Sequence, residues 1–165
     1  MRFRQFIFCL FFILVFVQGS LQTAQCSEDK SVNALISKLD EAQHDTTRVN
    51  LLLKLANETS WSDIKSAEKY VRQAMKLSQQ NNYVKGIAYS NYWLAKIFVD
   101  YEYDLSENFV LQALEQAKEI NDSILMARVF NVLGNLKSNL NHNEDALFYY
   151  NQALDIYLIG EKNGS

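Results

Sequence analysis

The sequence predicts an all-α fold, an α-solenoid of three antiparallel helix pairs with one helix ahead of them. Three observations lead there. Small and apolar residues recur at intervals of 39 or 40: Leu133-Gly134 is matched by Leu94-Ala95 and Leu55-Ala56, Ala146 by Ser106 and Ala67, and Ala153 by Ala113 and Ala74. A fixed period in this range marks a stacked array in which each unit buries its apolar face on the next. Within each interval, apolar residues return every three or four positions, the spacing of one helix face, and polar turns separate the runs. Finally, Pro is absent and Gly occurs only five times, so little interrupts long helices.

The 165 residues are 48% hydrophobic and 21% charged, the balance of an ordinary globular domain. Lys and Arg number 16 against 19 Asp and Glu; without Arg2 and Arg4 of the leader the balance is 14 against 19, or −5. That mild acidity argues against nucleic acid as a partner of this segment, because such binding needs a basic face. Both cysteines, Cys9 and Cys26, fall in the first 26 residues. The helical body therefore has no cysteine pair for a disulfide or a metal site, and packing alone must hold it.

Residues 1–26 read as a signal peptide. Arg2 and Arg4 form a basic start, Phe6 to Val17 is an unbroken apolar run of twelve, and a small and polar exit follows. The run is short for a membrane helix. Cleavage after Gly19 or Ala24 is expected, with lipid attachment at Cys26 or retention as an anchor as the alternatives. The expected location is exported, periplasmic or extracytoplasmic.

Residues 27–44 form the next element. Ser31 is a candidate N-cap, and Val32, Leu35, Ile36 and Leu39 make an apolar stripe. One helix here would cap the open end of the array. Asp45-Thr-Thr-Arg48 opens the first pair (about 45–81), with Val49, Leu52, Leu53 and Ala56 facing inward. Ser60-Trp-Ser-Asp63 is its turn, and its second helix runs from about Ile64 to Gln80 and ends at Asn81-Asn82, a residue type that tolerates left-handed geometry.

The second pair (about 83–121) carries Ile87, Ala88, Asn91, Leu94, Ala95 and Phe98, turns at Asp100-Tyr-Glu-Tyr-Asp104 and stops at Asn121-Asp-Ser123. The third (about 123–161) runs from Ile124 through Leu140 and from Asn143 to about Ile159, and Gly134, Ala146 and Ala153 mark its closest backbone approach. The last residues, Gly160-Glu-Lys-Asn-Gly-Ser165, resemble Asn82-Tyr-Val-Lys-Gly-Ile87 at the entry to the second pair. The expectation is a turn into a fourth unit that the chain does not contain, with pairing of helix 143–159 with a partner as the alternative.

The third pair, through Phe130, Leu133, Gly134, Ala146, Tyr150 and Ala153, resembles the tetratricopeptide repeat (TPR). It departs from that pattern at Lys137, where an aromatic is usual, and the closing Pro is missing throughout. The period also exceeds the usual one of about 34 residues. The resemblance covers roughly residues 45 to 165 and implies a right-handed α-solenoid whose first helices line a concave groove for peptides. Carried onto the matching positions, it puts Asn50, Asn57, Tyr89, Tyr92, Lys96, Arg128, Asn131 and Asn135 on that groove. Asparagines satisfy an extended peptide's backbone groups, and Lys96 and Arg128 can meet a carboxylate. The family's clamp for C-terminal carboxylates is not expected, since Leu53 stands where it needs Lys. The simpler reading of these residues is an ordinary polar face.

No phosphate loop, nucleophile elbow or zinc-protease motif is present. His44 and His142 read as solvated turn residues, and Glu144-Asp145 as a helix start. Catalysis, a cofactor and a metal are not expected. The expected role is an exported, non-catalytic module for a protein or peptide partner, touching membrane only through the N-terminal segment or a missing C-terminal region. The alternative follows from arrays of this longer period, which resemble N-terminal sensory regions of bacterial signalling proteins that continue into a histidine kinase or a DNA-binding output domain.

Overall fold

The computed structural model describes residues 30–163, and among them it holds helices joined by short turns. The elements are α1 (30–41), α2 (Asp45–Thr59), α3 (Ile64–Gln80), α4 (Val84–Phe98), α5 (Tyr103–Glu119), α6 (Ser123–Asn139) and α7 (Asn143–Asn163). The leader expected over 1–26 lies outside the described residues.

The helix ends follow from local chemistry. At the start of α3, Asp63 Oδ1 accepts the Ser66 N–H at 3.1 Å, and at the start of α6, Asp122 Oδ1 accepts the Leu125 N–H at 2.9 Å. Each carboxylate satisfies an amide that the first helical turn leaves without a partner. The exits of α3, α5 and α6 share one design. Asn82, Asn121 and Asn141 have φ of 51°, 53° and 62°. The next amide in each case donates five residues back: Tyr83 to Ser78 O (2.8 Å), Asp122 to Ala117 O (2.9 Å) and His142 to Lys137 O (2.9 Å). This is the Schellman ending, with asparagine taking the left-handed place that glycine usually fills.

Several boundaries differ from expectation. Ser31 sits inside α1 rather than capping it, and its hydroxyl lies 3.5 Å from Glu58 Oε2 of α2. His44, not Asp45, is the N-cap position of α2, and its side chain makes no capping bond. The acidic turn before α5 is shorter than Asp100–Asp104, because α5 already starts at Tyr103. Residues 160–163 continue α7 instead of turning. No residue there takes the left-handed geometry that Asn82 supplies in the stretch it resembles, so the helix runs on.

Neighbouring helices pack in pairs: α2 on α3, α4 on α5 and α6 on α7, with α3 also on α4 and α5 on α6. Beyond these, α4 touches both α2 and α6, whereas among the described residues α3, α5 and α7 make no such approach to one another. The stack is therefore tighter on the α2–α4–α6 side and bends toward it. The arrangement is all-helical and consistent with a helical repeat.

Small residues make the close packing possible. Ala56, Ala67, Ala74, Ala88, Ala95, Ala113 and Ala117 are completely buried, and around them sit Leu55, Leu94, Leu125, Leu133 and Leu136. Ser106 stands in this ladder for alanine and donates its hydroxyl to Ala95 O at 2.9 Å, a bond from α5 to α4 that only backbones in close approach allow. Gly134 differs from the expectation of close backbones. A Cβ there would meet the ring of Tyr150, at 2.6 Å from Cδ1 and 2.9 Å from Cζ, so the missing side chain makes room for an aromatic ring of α7. At the other end, Leu39 of α1 packs against the core, and Arg48 of α2 donates to Leu39 O and Ala42 O at 3.4 and 3.3 Å.

Candidate binding groove

The tighter side of the stack carries a cavity of about 340 Å³. From α2 it receives Asn50, Leu53, Lys54 and Asn57, which fall on one helix face because their spacings are three, one and three. Lys85, Gly86, Tyr89 and Trp93 of α4 and Arg128 of α6 complete the lining. A second hollow of about 270 Å³ includes Trp61, Trp93, Lys96 and Asn135 in its lining. Trp93 borders both, so the two are neighbouring parts of one groove.

Asp122 is the polar node of the groove edge. While Oδ1 caps α6, Oδ2 accepts the Tyr89 hydroxyl at 3.1 Å and lies 3.2 Å from Lys85 Nζ. One carboxylate thus ties α4 to the start of α6 and holds two lining residues in place. Burial alone would raise its pKa; the bonds from the Leu125 amide, Lys85 and Tyr89 outweigh that and hold it below the ordinary carboxylate value of 3.8. The Tyr89 phenol moves the opposite way, pushed up to about 12 by burial and by the negative charge of Asp122.

The sign of the pH effect follows. A carboxylate with a depressed folded pKa stabilises the fold above its unfolded pKa, and that contribution disappears as pH falls through the folded value. The Asp122→Asn variant is therefore expected to lose less stability than the parent when urea unfolding is compared at pH 7 and below about pH 4. Equal acid losses in the two proteins would mean that Asp122 is not held as described.

The cations of the groove differ in their surroundings. Lys96 Nζ lies 4.6 Å from the Trp93 ring centroid and 5.5 Å from that of Trp61. Its pKa is lowered by burial and by repulsion from Arg128. Among the described residues neither Lys54 nor Arg128 pairs with a carboxylate. Trp61, in the turn between α2 and α3, is 88% exposed, which leaves a large apolar surface at the mouth of the second hollow.

Of the residues placed on the groove from sequence, Asn50, Asn57, Tyr89 and Arg128 line the larger cavity and Lys96 and Asn135 the smaller. Asn135 Oδ1 also accepts the Tyr150 hydroxyl at 2.7 Å. Asn131 is half-buried on α6 and lines neither hollow. Tyr92 needs a correction: it is 8% exposed and belongs to the core, packed edge-on against Trp93 with ring centroids 5.3 Å apart. Trp93 takes the place given to Tyr92.

Sequence reasoning also missed Lys54, Lys85 and Trp61. For Trp93 there was a signal, since Tyr89, Trp93 and Lys96 share a face at helical spacing. For Lys85 there was none, because its partner Asp122 is remote in sequence. Among the described residues no group of His, Cys, Asp and Glu is placed to hold a metal ion, and no helix is long and apolar enough to cross a membrane. No protein-family model matches this chain, and no curated protein matches it.

Proposed function

We propose that this chain is an exported, non-catalytic interaction module, a right-handed α-solenoid of three TPR-like helix pairs that receives an extended, acidic peptide segment in the groove over α2, α4 and α6. The observation that carries this reading is the character of the larger cavity: among the described residues Lys54 and Arg128 have no carboxylate partner, and they stand beside Asn50 and Asn57, next to the indole of Trp93. Cations such as these attract anions, and two amides supply the donors and acceptors that an extended backbone needs. An indole at the base of such a site covers an apolar side chain. The leader composition, with Arg2, Arg4 and the apolar run from Phe6 to Val17, is what supports export.

A peptide array that varies net charge and the position of a bulky apolar residue tests the groove. Binders are expected to combine Asp or Glu with one such residue. Arg128→Ala should weaken the best of them about tenfold, the size of one charge-assisted hydrogen bond. Arg72→Ala on α3, where Arg72 is paired with Glu68 at 2.7 Å, should leave binding unchanged. Binders that ignore both Arg128 and Lys54 while losing affinity on changes elsewhere would overturn the assignment.

A further inference from the structure

On the other side of α4 from the groove lies a hollow of about 370 Å³ between α3, α4 and α5. Asn91 lines it, two positions on from Tyr89 and so about 200° around the helix. Asn91 is 2% exposed. Its Nδ2 donates to Gln116 Oε1 at 2.9 Å and to Gln112 Oε1 at 3.4 Å, whereas its Oδ1 is buried and has no hydrogen-bond partner among the described residues. Leaving a buried carbonyl oxygen without a donor is costly, and native folds seldom do it.

The repeat carries its own comparison for this place. In the first and third helix pairs the positions of Asn91 and Gln116 hold Leu52 with Leu77 and Phe130 with Ile156. Leu52 belongs to the core, and Leu77 and Phe130 pack against it. An apolar residue therefore serves the packing, and the second pair departs from it in both helices at once. The flanking helix differs too: Arg72 and Lys76 of α3 line the hollow, where their counterparts on α5 are Leu111 and Glu115. Among the described residues Lys76 pairs with no carboxylate.

These groups describe a ligand. Asn91 Oδ1 and the two glutamine Oε1 atoms gather acceptors about one amide, which suits the three donors of an ammonium group. Lys76 attracts an anion at the rim. Met75, Ile87 and Phe109 add an apolar wall. Gln112 is exposed and Gln116 half-buried, so both have room to turn aside for a small molecule, and the hollow has the size of a small-ligand pocket. We propose that it binds a free α-amino acid with an apolar side chain. The ammonium sits on Asn91 and the glutamines, the carboxylate faces Lys76, and the side chain lies against Phe109.

Isothermal titration calorimetry of the full chain with free leucine, methionine and phenylalanine tests this. At least one is expected to saturate a single site below about 1 mM. Its N-acetyl derivative, which lacks the ammonium, and its carboxamide, which lacks the carboxylate, should each bind about tenfold more weakly or worse. Asn91→Leu, which restores the residue type of the first pair, should lose amino-acid binding while its urea midpoint equals or exceeds the parent's. A residue kept only for packing would not separate those two readouts. Should Asn91→Leu disturb the fold, Gln116→Leu reads the same pocket. Lys76→Gln should weaken the free amino acid about tenfold and leave the carboxamide unchanged. No saturation by any of the three overturns the proposal, Asn91 Oδ1 then being served by water. A carboxamide that binds as well as the free acid also overturns it, because the ligand would then be the N-terminus of a peptide. So does binding that survives both Asn91→Leu and Gln116→Leu.

Discussion

Gly86→Leu is expected to destabilise the fold by about 3 kcal/mol, or roughly 10 °C in Tm, near the upper end of ordinary overpacking. Gly86 sits in the first turn of α4, where the helix is wedged between α2 and α3. A Cβ there would lie 2.6 Å from a ring carbon of Tyr83 and 2.9 Å from Val49 Cγ1, and closer still to the Ser78 hydroxyl. Val49 and Ser78 are buried, so neither has solvent to move into. Helix propensity works against the effect, since replacing a helical glycine gains up to about 1 kcal/mol, and the smaller Gly86→Ala should cost less than Gly86→Leu.

The same change reaches the groove, because Gly86 is part of the lining. Pushing the start of α4 outward moves Lys85 and Tyr89 away from Asp122. Urea unfolding gives the stability, and an acidic peptide selected on the parent protein gives the binding. A wild-type midpoint for Gly86→Leu would mean that α4 has room to shift and that close approach does not seat it.

The second large effect belongs to Gly134→Leu, expected to cost about 2 kcal/mol. Here the obstacle is one ring, that of Tyr150, whose hydroxyl is held by Asn135. The cost should accordingly depend on Tyr150. In a Tyr150→Ala background the Gly134→Leu penalty should fall by more than half, leaving a coupling of about 1 kcal/mol in the double-mutant cycle. Additive effects would show that the leucine collides with something other than Tyr150. The two glycines thus test different parts of the packing, one the seat of α4 in the groove wall and the other the joint of α6 with α7.

Much of the helical layout can be read without coordinates, for a local reason. Helical spacing and the asparagines at the helix ends act over a few residues. The helix expected from about Ile64 to Gln80 accordingly spans Ile64–Gln80. The places where the reading slips are local too. Residues 160–163 look like the Asn82 turn yet stay helical, because resemblance of composition does not force a left-handed residue.

The groove was only partly legible. Asn50, Asn57, Tyr89 and Arg128 reach one cavity because a fixed period carries each first helix to a comparable orientation. Tyr92 and Trp93 show the limit of that logic. Neighbours on a helix point about 100° apart, both are large aromatics, and only the surfaces of the adjoining helices settle which one enters the core.

By itself, then, the sequence determined the all-helical character, the pairing period and most helix ends, since these arise from interactions within a turn or two of the chain. Tertiary structure alone decided that Asp122 holds Lys85 and Tyr89, that Lys54 and Arg128 meet in the groove with no carboxylate partner among the described residues, and that Gly134 makes room for Tyr150. Those facts join residues 16 to 74 positions apart, and their distances are set by how helices pack, which no local pattern encodes.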